Sequence, residues 1–413
     1  MDPGPLNHLT MSATPRSLPP AHDTAVSPGP SGMGECPGPL LSLGRKMTAI
    51  VKPVGDYCNQ KCTYCFYFQR DQATHCLLSD TLLEKFISEY LALFDGDLSF
   101  IWHGGEPLLA GIPFFERVVA LQRTYAKSGQ QIANHIQTNA TLIDREWAQF
   151  FKTHRFAVGV SLDGHRQSHD LCRLNRGGRG SFDRVMEGIR HLDDVGLKYG
   201  VVKVLTARHL PHIAEDFRFL SDDMKLKQWS INVLADQSGT GAYEERGVSD
   251  AEFTTALREL LALWLERDDA SLRIREIENL VCGALTRASG HCTFSGLCTR
   301  YFCLNYDGRI FPCDSFTNDP DSSFGSLASD SLRNILVGSK RERFVTTVNE
   351  VHPECVQCEW WNVCHNGCTS QRVGSIAGKY YYCGARREMF EYARAVLSAR
   401  KAEDGGMTQG ERQ

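Results

Sequence analysis

Three cysteines constrain this chain more than any other feature: Cys58, Cys62 and Cys65 follow an apolar run with the spacing C-x3-C-x2-C. Three thiolates in one tight loop can chelate three corners of a metal centre. Structural zinc sites use four protein ligands, and His75 and Cys76 lie well beyond this loop. A four-iron cluster held by three cysteines leaves one iron open to an outside ligand. The spacing favours such a cluster, and a zinc site that borrows a distant ligand is the alternative.

Between about 48 and 285, short apolar runs alternate with amphipathic stretches of helical period. The apolar runs predict strands at 48–54, 98–102, 135–138, 156–162, 199–205 and 229–234. The amphipathic stretches predict helices at 79–94, 113–128, 181–195, 211–224 and 250–267. This alternation predicts an α/β fold with a parallel sheet, either a barrel or an open doubly wound sheet. In both folds ligands bind beyond the carboxyl ends of the strands, which is where Cys58 and the run 103–107 lie.

The composition excludes several classes of function. The 413 residues carry a net charge of -4, which gives no electrostatic footprint for nucleic acid or for an anionic membrane. No apolar run reaches the roughly 18 residues that a membrane-spanning helix needs. The first residues lack the basic and apolar regions of a secretory signal, so we expect a cytoplasmic protein. In that compartment clustered cysteines indicate metal binding or catalysis rather than disulfides.

Changes in composition predict the domain boundaries. Residues 1–46 hold nine of the 16 prolines and predict a disordered tail, because such a segment buries too little apolar surface to offset its ordering entropy. Structure-like sequence begins at Met47, and whether the tail belongs to the mature protein stays open. We expect a barrel domain over 47–285, a cysteine-rich domain tied together by metal over 286–401, and a disordered tail over 402–413. A closing helix is predicted at 384–401.

The cysteine-rich domain contains a second group of thiols. Its clustered members are Cys292, Cys298, Cys313, Cys355, Cys358, Cys364, Cys368 and Cys383. Eight thiolates match two sites of four thiolates each, and the spacing alone leaves zinc and iron–sulfur clusters both open.

The first cysteine loop resembles the signature of the radical S-adenosylmethionine (SAM) superfamily, which has an aromatic residue before the last cysteine, here Tyr64. The resemblance implies a partial (β/α)6 barrel whose open iron chelates the amino and carboxylate groups of SAM. It also implies that one electron from the cluster cleaves SAM to a 5'-deoxyadenosyl radical, with the protein supplying orientation.

The same resemblance implies further contacts with SAM besides Tyr64. Gly105, in Gly104-Gly105-Glu106-Pro107, matches a strand end whose backbone approaches the SAM amino group, which a Cβ would obstruct. Ser161 and Arg173 are implied to contact SAM, with Arg173 suited to its carboxylate. Leu234 is implied to lie near the adenine.

Over 48–400 the chain also resembles radical SAM enzymes that modify peptides and proteins and carry a small SPASM domain. This resemblance implies two auxiliary 4Fe-4S clusters, for a total of three. Auxiliary cluster I is implied to be held by Cys292, Cys298, Cys313 and Cys368. Auxiliary cluster II is implied to be held by Cys355, Cys358, Cys364 and Cys383. Full ligation implies that both carry electrons rather than substrate.

The run Pro312-Cys313-Asp314 resembles anaerobic sulfatase-maturating enzymes, in which the aspartate beside a cluster ligand acts as a base. It implies that Asp314 is catalytic in the oxidation of a Cys or Ser side chain to formylglycine, with a carboxylate taking the proton. The implied partners are a sulfatase substrate and a low-potential flavodoxin or ferredoxin as electron donor.

One departure from that pattern leaves the substrate open. His103 precedes the Gly-Gly-Glu-Pro run, where sulfatase maturases usually carry Gln. This variant resembles relatives that cross-link side chains in short, ribosomally made precursor peptides. Sulfatase maturation and peptide cross-linking are therefore both predicted activities, and a non-catalytic zinc-binding module is a third hypothesis from another class.

Overall fold

The computed structural model describes residues 46–65, 76–235 and 246–410. The tail predicted to be disordered at 1–46 lies outside the described residues except for Lys46, as does 411–413 at the other end.

Ten strands form one mixed sheet in the order β10-β9-β8-β1-β2-β3-β4-β5-β6-β7. All neighbouring strands from β8 through β1 to β7 are parallel, while β9 and β10 are antiparallel to their neighbours. Their bounds are β1 (Thr48–Lys52), β2 (Asp97–Trp102), β3 (Gln131–Thr138), β4 (Ala157–Ser161), β5 (Tyr199–Leu205), β6 (Gln228–Val233), β7 (Arg273–Ile274), β8 (Tyr301–Asn305), β9 (Arg309–Phe311) and β10 (Gly325–Ser326).

Helices connect successive parallel strands, which is the connection that parallel strands require. In chain order they are α1 (Asp80–Leu93), α2 (Ile112–Tyr125), α3 (Arg145–His154), α4 (Arg166–Asp170), α5 (Phe182–Asp194), α6 (Ile213–Arg218), α7 (Asp250–Arg267), α8 (Arg275–Thr286), α9 (Cys292–Ser295), α10 (Leu332–Val337), α11 (Ser339–Asn349), α12 (Trp361–Cys364) and α13 (Cys383–Gly410).

Local sequence accounts for where the longer helices begin. Ser79 caps α1 by accepting a hydrogen bond from the Leu82 amide. Ser249 and Glu252 form a reciprocal capping box at the start of α7. Such side chains satisfy amide groups that have no partner inside the helix.

The cysteine-rich segment shares the sheet and the core of the preceding barrel. Strand β8 pairs with β1 along its whole length. Phe86 and Tyr90 of α1 pack edge-on against both Phe100 of β2 and Phe302 of β8. Helix α1 therefore packs against both β8 of the cysteine-rich segment and the first strands of the barrel.

The sheet curves around a central space, as a partial (β/α)6 barrel does. Inward-facing side chains from β1, β2, β5 and β6 border one cavity, namely Ile50, Ile101, Val202 and Ile231. A flat sheet could not bring its first and sixth parallel strands to the same cavity. The predicted barrel fold is confirmed.

Two predicted helices differ from the structure. The stretch predicted as one helix at 211–224 is divided into a 3-10 turn (Ala207–His212), helix α6 and a π-helical turn (Phe219–Asp223). Pro211 lies in the 3-10 turn and cannot donate a helical hydrogen bond. The closing helix predicted to end at 401 continues to Gly410, and two good helix formers, Ala402 and Glu403, directly follow that point.

Candidate active site

A cavity of about 620 Å³ lies within the curve of the sheet. All the residues that the sequence assigns to SAM border it: Tyr64, Gly105, Ser161, Arg173 and Leu234. Asp314 borders it too, with Cys58, Cys62, Cys65, Cys292, Cys298, Cys313 and Cys368. The cavity is therefore where the first cysteine loop, the implied SAM contacts and the first auxiliary group meet. Cys355, Cys358, Cys364 and Cys383 are not among its lining residues.

The first cysteine loop is held in place by the segment that follows α4. The Lys61 amide donates to the Leu174 carbonyl at 2.8 Å, and the Thr63 amide donates to the Cys172 carbonyl at 3.0 Å. The Cys65 amide closes the turn on the Cys62 carbonyl at 3.0 Å. These backbone bonds fix the loop without using the three thiols, which leaves the sulfurs available as ligands.

The electrostatics of this loop favour a bound cation. Burial, with the nearby charges of Glu106 and Cys65 adding to it, raises the pKa of Cys58 to about 12. Burial likewise raises the pKa of Cys62. Three thiolates in one loop ionise together only where a metal centre supplies positive charge. The loop therefore fits an iron–sulfur cluster.

Within each of the two cysteine groups of the cysteine-rich domain, the thiols lie close enough to affect one another's pKa. Burial raises the pKa of Cys292 to about 12, and the charges of Cys368 and Cys298 add to this shift. Burial raises the pKa of Cys313 as well. In the other group, burial raises the pKa of Cys355 to about 11, with contributions from Cys364, Cys383 and Cys358.

The described cysteine groups do not have the ligand spacing of a single zinc ion. Four thiolates around one zinc lie about 3.8 Å apart, given Zn–S bonds of about 2.3 Å. Within the described part of the chain, just one group of three or more His, Cys, Asp or Glu residues has its ligand atoms all within 4.8 Å of one another, and it contains no cysteine. No cysteine group in this part of the chain therefore has the dimensions of a single-ion site.

A buried triad of Tyr64, Asp163 and Arg173 lies beside the first cysteine loop, hereafter the cluster loop. The Tyr64 hydroxyl donates to Asp163 Oδ2 at 2.6 Å, and Arg173 Nε lies 2.9 Å from the same oxygen. The Arg173 guanidinium lies 5.4 Å from the Tyr64 ring centroid. Burial opposes ionisation of Asp163, but the charge of Arg173 holds its pKa down at about 2. The sequence predicted Arg173 as a partner of the SAM carboxylate, and the structure shows that an internal carboxylate also orients it.

The structure gives a reason for glycine at position 105 that the sequence alone did not reveal. A Cβ at Gly105 would lie 2.0 Å from the Tyr57 carbonyl oxygen, and the neighbouring Glu106 amide donates to that oxygen at 2.9 Å. The absence of a side chain lets the end of β2 pack against the backbone that leads into Cys58. Gly105 thus borders the cavity and positions the cluster loop.

Ser161 and Leu234 lie at the carboxyl ends of β4 and β6. Ser161 Oγ accepts a hydrogen bond from Gln137 Nε2 at 3.0 Å. The Leu234 backbone donates to the Leu205 carbonyl and accepts from the Val248 amide. Both positions are fixed by neighbouring strands or connections, so both are rigid parts of the cavity wall.

Asp314 begins the 3-10 turn Asp314–Phe316, directly after Cys313. Its Oδ2 atom lies 3.6 Å from His103 Nδ1, at the end of β2. Nearby, Lys52 is fully buried, and its Nζ donates to Asp56 Oδ1 at 2.6 Å and to Thr317 Oγ1 at 2.8 Å. Lys52 thereby joins the start of the cluster loop to the turn that contains Asp314.

Glu106 is a site residue to which the sequence alone assigned no role. It is fully buried and accepts hydrogen bonds from the Leu108 and Asn139 amides and from Thr138 Oγ1. Burial raises its pKa to about 7. Glu106 ties the end of β2 to the end of β3, and its place in the Gly-Gly-Glu-Pro run was the available signal.

Two family models match the chain. Residues 53–217 match the radical SAM superfamily, and residues 296–359 match the SPASM iron–sulfur cluster-binding domain. The fold and the site thus define a radical SAM enzyme with a SPASM domain, which uses SAM and three 4Fe-4S clusters.

Comparison with individual proteins identifies the family. A cysteine-type anaerobic sulfatase-maturating enzyme of Clostridium perfringens is 32% identical over 362 residues, covering 84% of this chain and 96% of the relative. A serine-type enzyme of Bacteroides thetaiotaomicron is 28% identical, covering 87% and 92%. The solved structure of native anSMEcpe with bound AdoMet and Cp18Cys peptide has a TM-score of 0.76 and 29% identity, covering 86% and 98%. The chain belongs to the anaerobic sulfatase-maturating enzyme family.

No helix in the described ranges combines the length and the apolar character needed to cross a membrane.

Proposed function

We propose that this enzyme oxidises the Cβ of a Cys or Ser side chain in a sulfatase to formylglycine, with Asp314 as the base. The observation that carries the proposal is that Asp314 borders the same cavity as the first cysteine loop and the implied SAM contacts. Relatives of both the cysteine and the serine type support either side chain as the target.

Each residue group has a proposed part in this reaction. Cys58, Cys62 and Cys65 hold the cluster that binds SAM, and Tyr64, Gly105, Ser161, Arg173 and Leu234 form the SAM pocket. When bound, the cluster and SAM together supply the species that abstracts a hydrogen atom from Cβ. Asp314 takes the proton from the substrate hydroxyl or thiol. Serine loses two hydrogens and becomes the aldehyde directly, whereas cysteine gives a thioaldehyde that water converts to the aldehyde with loss of hydrogen sulfide.

The remaining electron leaves through the cysteine-rich domain. We assign auxiliary cluster I to Cys292, Cys298, Cys313 and Cys368, and auxiliary cluster II to Cys355, Cys358, Cys364 and Cys383. Cys313 adjoins Asp314 in sequence, so the proton and the electron leave the substrate at neighbouring residues. The external electron donor is proposed to be a low-potential flavodoxin or ferredoxin.

The proposed location is the cytoplasm. None of the 15 cysteines among the described residues forms a disulfide. Thiols that serve as cluster ligands persist in a reducing compartment.

The test uses the anaerobically reconstituted enzyme with SAM, dithionite and a peptide that carries a sulfatase-type Cys or Ser. We expect an aldehyde that reacts with a hydrazide probe. In Asp314→Asn we expect aldehyde formation to fall by about 10²–10⁴-fold while cleavage of SAM continues. Cys282→Ala, in an exposed position on α8, is the matched control and should retain both activities.

The second candidate activity is the cross-linking of a short precursor peptide, and the position of His103 on the cavity wall favours it. With a serine peptide both activities remove two hydrogens, so mass alone does not separate them. Loss of two hydrogens without hydrazide reactivity would overturn formylglycine formation and support cross-linking.

A further inference from the structure

Two histidines and a glutamate converge at the ends of two neighbouring barrel strands, apart from the three cysteine groups. His165 immediately precedes α4, after the end of β4. His212 immediately precedes α6, after the end of β5, and Glu215 lies in the first turn of that helix. None of the three borders the central cavity. Their side chains are 25%, 18% and 58% exposed, respectively, so solvent ions reach them.

The distances within this group match those around a single transition-metal ion. Glu215 Oε2 lies 3.5 Å from His165 Nε2 and 3.3 Å from His212 Nδ1. All three ligand atoms lie within 4.8 Å of one another. Nitrogen and oxygen ligands at about 2.05 Å from a tetrahedral zinc are separated by about 3.3 Å. The group thus has the dimensions of a three-ligand site.

A buried carboxylate orients the first histidine in the manner of a metal ligand. His165 Nδ1 lies 2.7 Å from Asp216 Oδ1. Asp216 is buried, and its Oδ2 accepts hydrogen bonds from Lys203 Nζ at 2.6 Å and Ser168 Oγ at 2.7 Å. Because the Asp216 carboxylate can only accept a hydrogen bond from His165 Nδ1, it keeps the His165 hydrogen on that nitrogen. Histidines that bind metals are commonly oriented by such a second carboxylate.

Gly164 makes room for this carboxylate. A Cβ there would lie 1.9 Å from Asp216 Oδ1, and the φ of 128° also favours glycine. The backbone before His165 is therefore shaped around Asp216.

This tautomer places two hydrogen-bond acceptors opposite each other. In neutral His165, Nε2 carries a lone pair, and it faces the Glu215 carboxylate, which also presents lone pairs. Two acceptors facing each other at 3.5 Å need a positive charge between them. Either a proton on His165 or a bound cation supplies this positive charge. His212 Nδ1, 3.3 Å from the same Glu215 oxygen, is the third potential metal ligand.

We propose that His165 Nε2, His212 Nδ1 and Glu215 bind one divalent first-row transition metal ion, with zinc as the preferred occupant. Two imidazoles and a carboxylate suit zinc, and zinc exceeds iron(II) in affinity for such ligands. The exposure of Glu215 leaves solvent as the fourth ligand.

The proposed ion braces the wall of the SAM cavity. Lys203 joins Asp216 to the Asp163 carbonyl oxygen, and the Asp163 carboxylate holds Tyr64 and Arg173. A cation on His165 would fix Asp216 and, through Lys203, the backbone that carries this triad. The ion would act by bracing this wall and not on the substrate, because its ligands do not border the cavity.

The test measures zinc binding to the iron-replete enzyme by competition with a chromophoric zinc chelator. Wild-type protein is expected to retain one zinc per chain at unchanged iron content. His212→Ala and Glu215→Gln are expected to lose affinity by about tenfold or more. His191→Ala, on α5 and away from the group, is the matched control. Zinc bound by exposed cysteines would persist in all four proteins, so it is recognised by its insensitivity to these substitutions.

A second readout is independent of the chelator. Zinc should raise the unfolding temperature of the wild type and of His191→Ala, because it binds the folded state, and should leave His212→Ala and Glu215→Gln unchanged. The proposal is overturned if the iron-replete wild type takes up no zinc, or if both site variants take it up as the wild type does. In either case a proton on His165 accounts for the geometry.

Discussion

His103 Nδ1 lies 3.6 Å from Asp314 Oδ2 at the border of the central cavity. The two residues come from distant parts of the chain, His103 from the end of β2 and Asp314 from the turn after β9. Burial lowers the pKa of His103, and the charge of Asp314 opposes this shift. This pair connects the barrel to the proposed base.

The pair predicts that His103 supports Asp314 in peptide oxidation without taking part in SAM cleavage. His103→Leu should slow aldehyde formation about tenfold, since loss of this polar contact with the carboxylate should cost about 1.5 kcal/mol. His103→Gln, which retains a donor, should retain most of the activity. The measurement compares the rates of aldehyde and 5'-deoxyadenosine formation. Equal losses of both products in His103→Leu would contradict this role.

The assignment of the cysteines predicts separate losses of iron. Replacement of Cys58, Cys62 and Cys65 by alanine should lower the iron content from about twelve to about eight per chain and abolish 5'-deoxyadenosine formation. The auxiliary clusters should remain, because none of their implied ligands lies in this loop. Cys282→Ala should keep the full iron content. Production of 5'-deoxyadenosine by the triple variant would contradict the assignment.

The packing of Gly105 predicts that even one methyl group displaces the cluster loop. In Gly105→Ala the new Cβ would lie 2.0 Å from the Tyr57 carbonyl oxygen, and the backbone before Cys58 would have to move. We expect a destabilisation of about 1–3 kcal/mol and weaker SAM binding, measured by anaerobic equilibrium dialysis. Gly200→Ala, on β5 where a Cβ would meet no atom within 4 Å, should change neither. Wild-type affinity in Gly105→Ala would refute the argument.

The sequence predicted what depends on short-range spacing. The thiols of Cys58, Cys62 and Cys65 share one loop, so their proximity follows from the spacing alone. The parallel strands followed from apolar runs. Contacts between distant segments could not be predicted in this way, because they depend on strand register and on loop paths. Lys52 with Thr317 is one example, and the His165 group is another.

The structural reason for the Gly-Gly-Glu-Pro run was also absent from the sequence. Glycine at 105 suggested close approach of SAM, whereas the nearest obstacle to a side chain is the Tyr57 carbonyl oxygen. A glycine reports that some atom comes close, but the three-dimensional path of the chain determines which atom it is.

The last prediction concerns acid stability and rests on His209. The Thr206 amide donates to His209 Nδ1 at 3.2 Å, and His209 Nε2 lies 3.2 Å from the Ser168 carbonyl oxygen. Nδ1 is thus an acceptor and Nε2 carries the hydrogen. Burial, with the charge of Lys203 adding to it, lowers the pKa of His209 to about 4, against about 6.5 in the unfolded chain.

Between these two pKa values the unfolded chain binds the proton and the folded chain does not, so stability falls as the pH drops from about 6.5 towards 4. From pH 7 to pH 5 this single group should cost about 2 kcal/mol. In His209→Gln the decrease in unfolding free energy over that range should be smaller by about this amount, measured by anaerobic urea unfolding. The difference between the two proteins at pH 8 gives the packing cost of the substitution. If His209→Gln loses as much stability as the wild type between pH 7 and pH 5, His209 does not cause this pH dependence of the unfolding free energy.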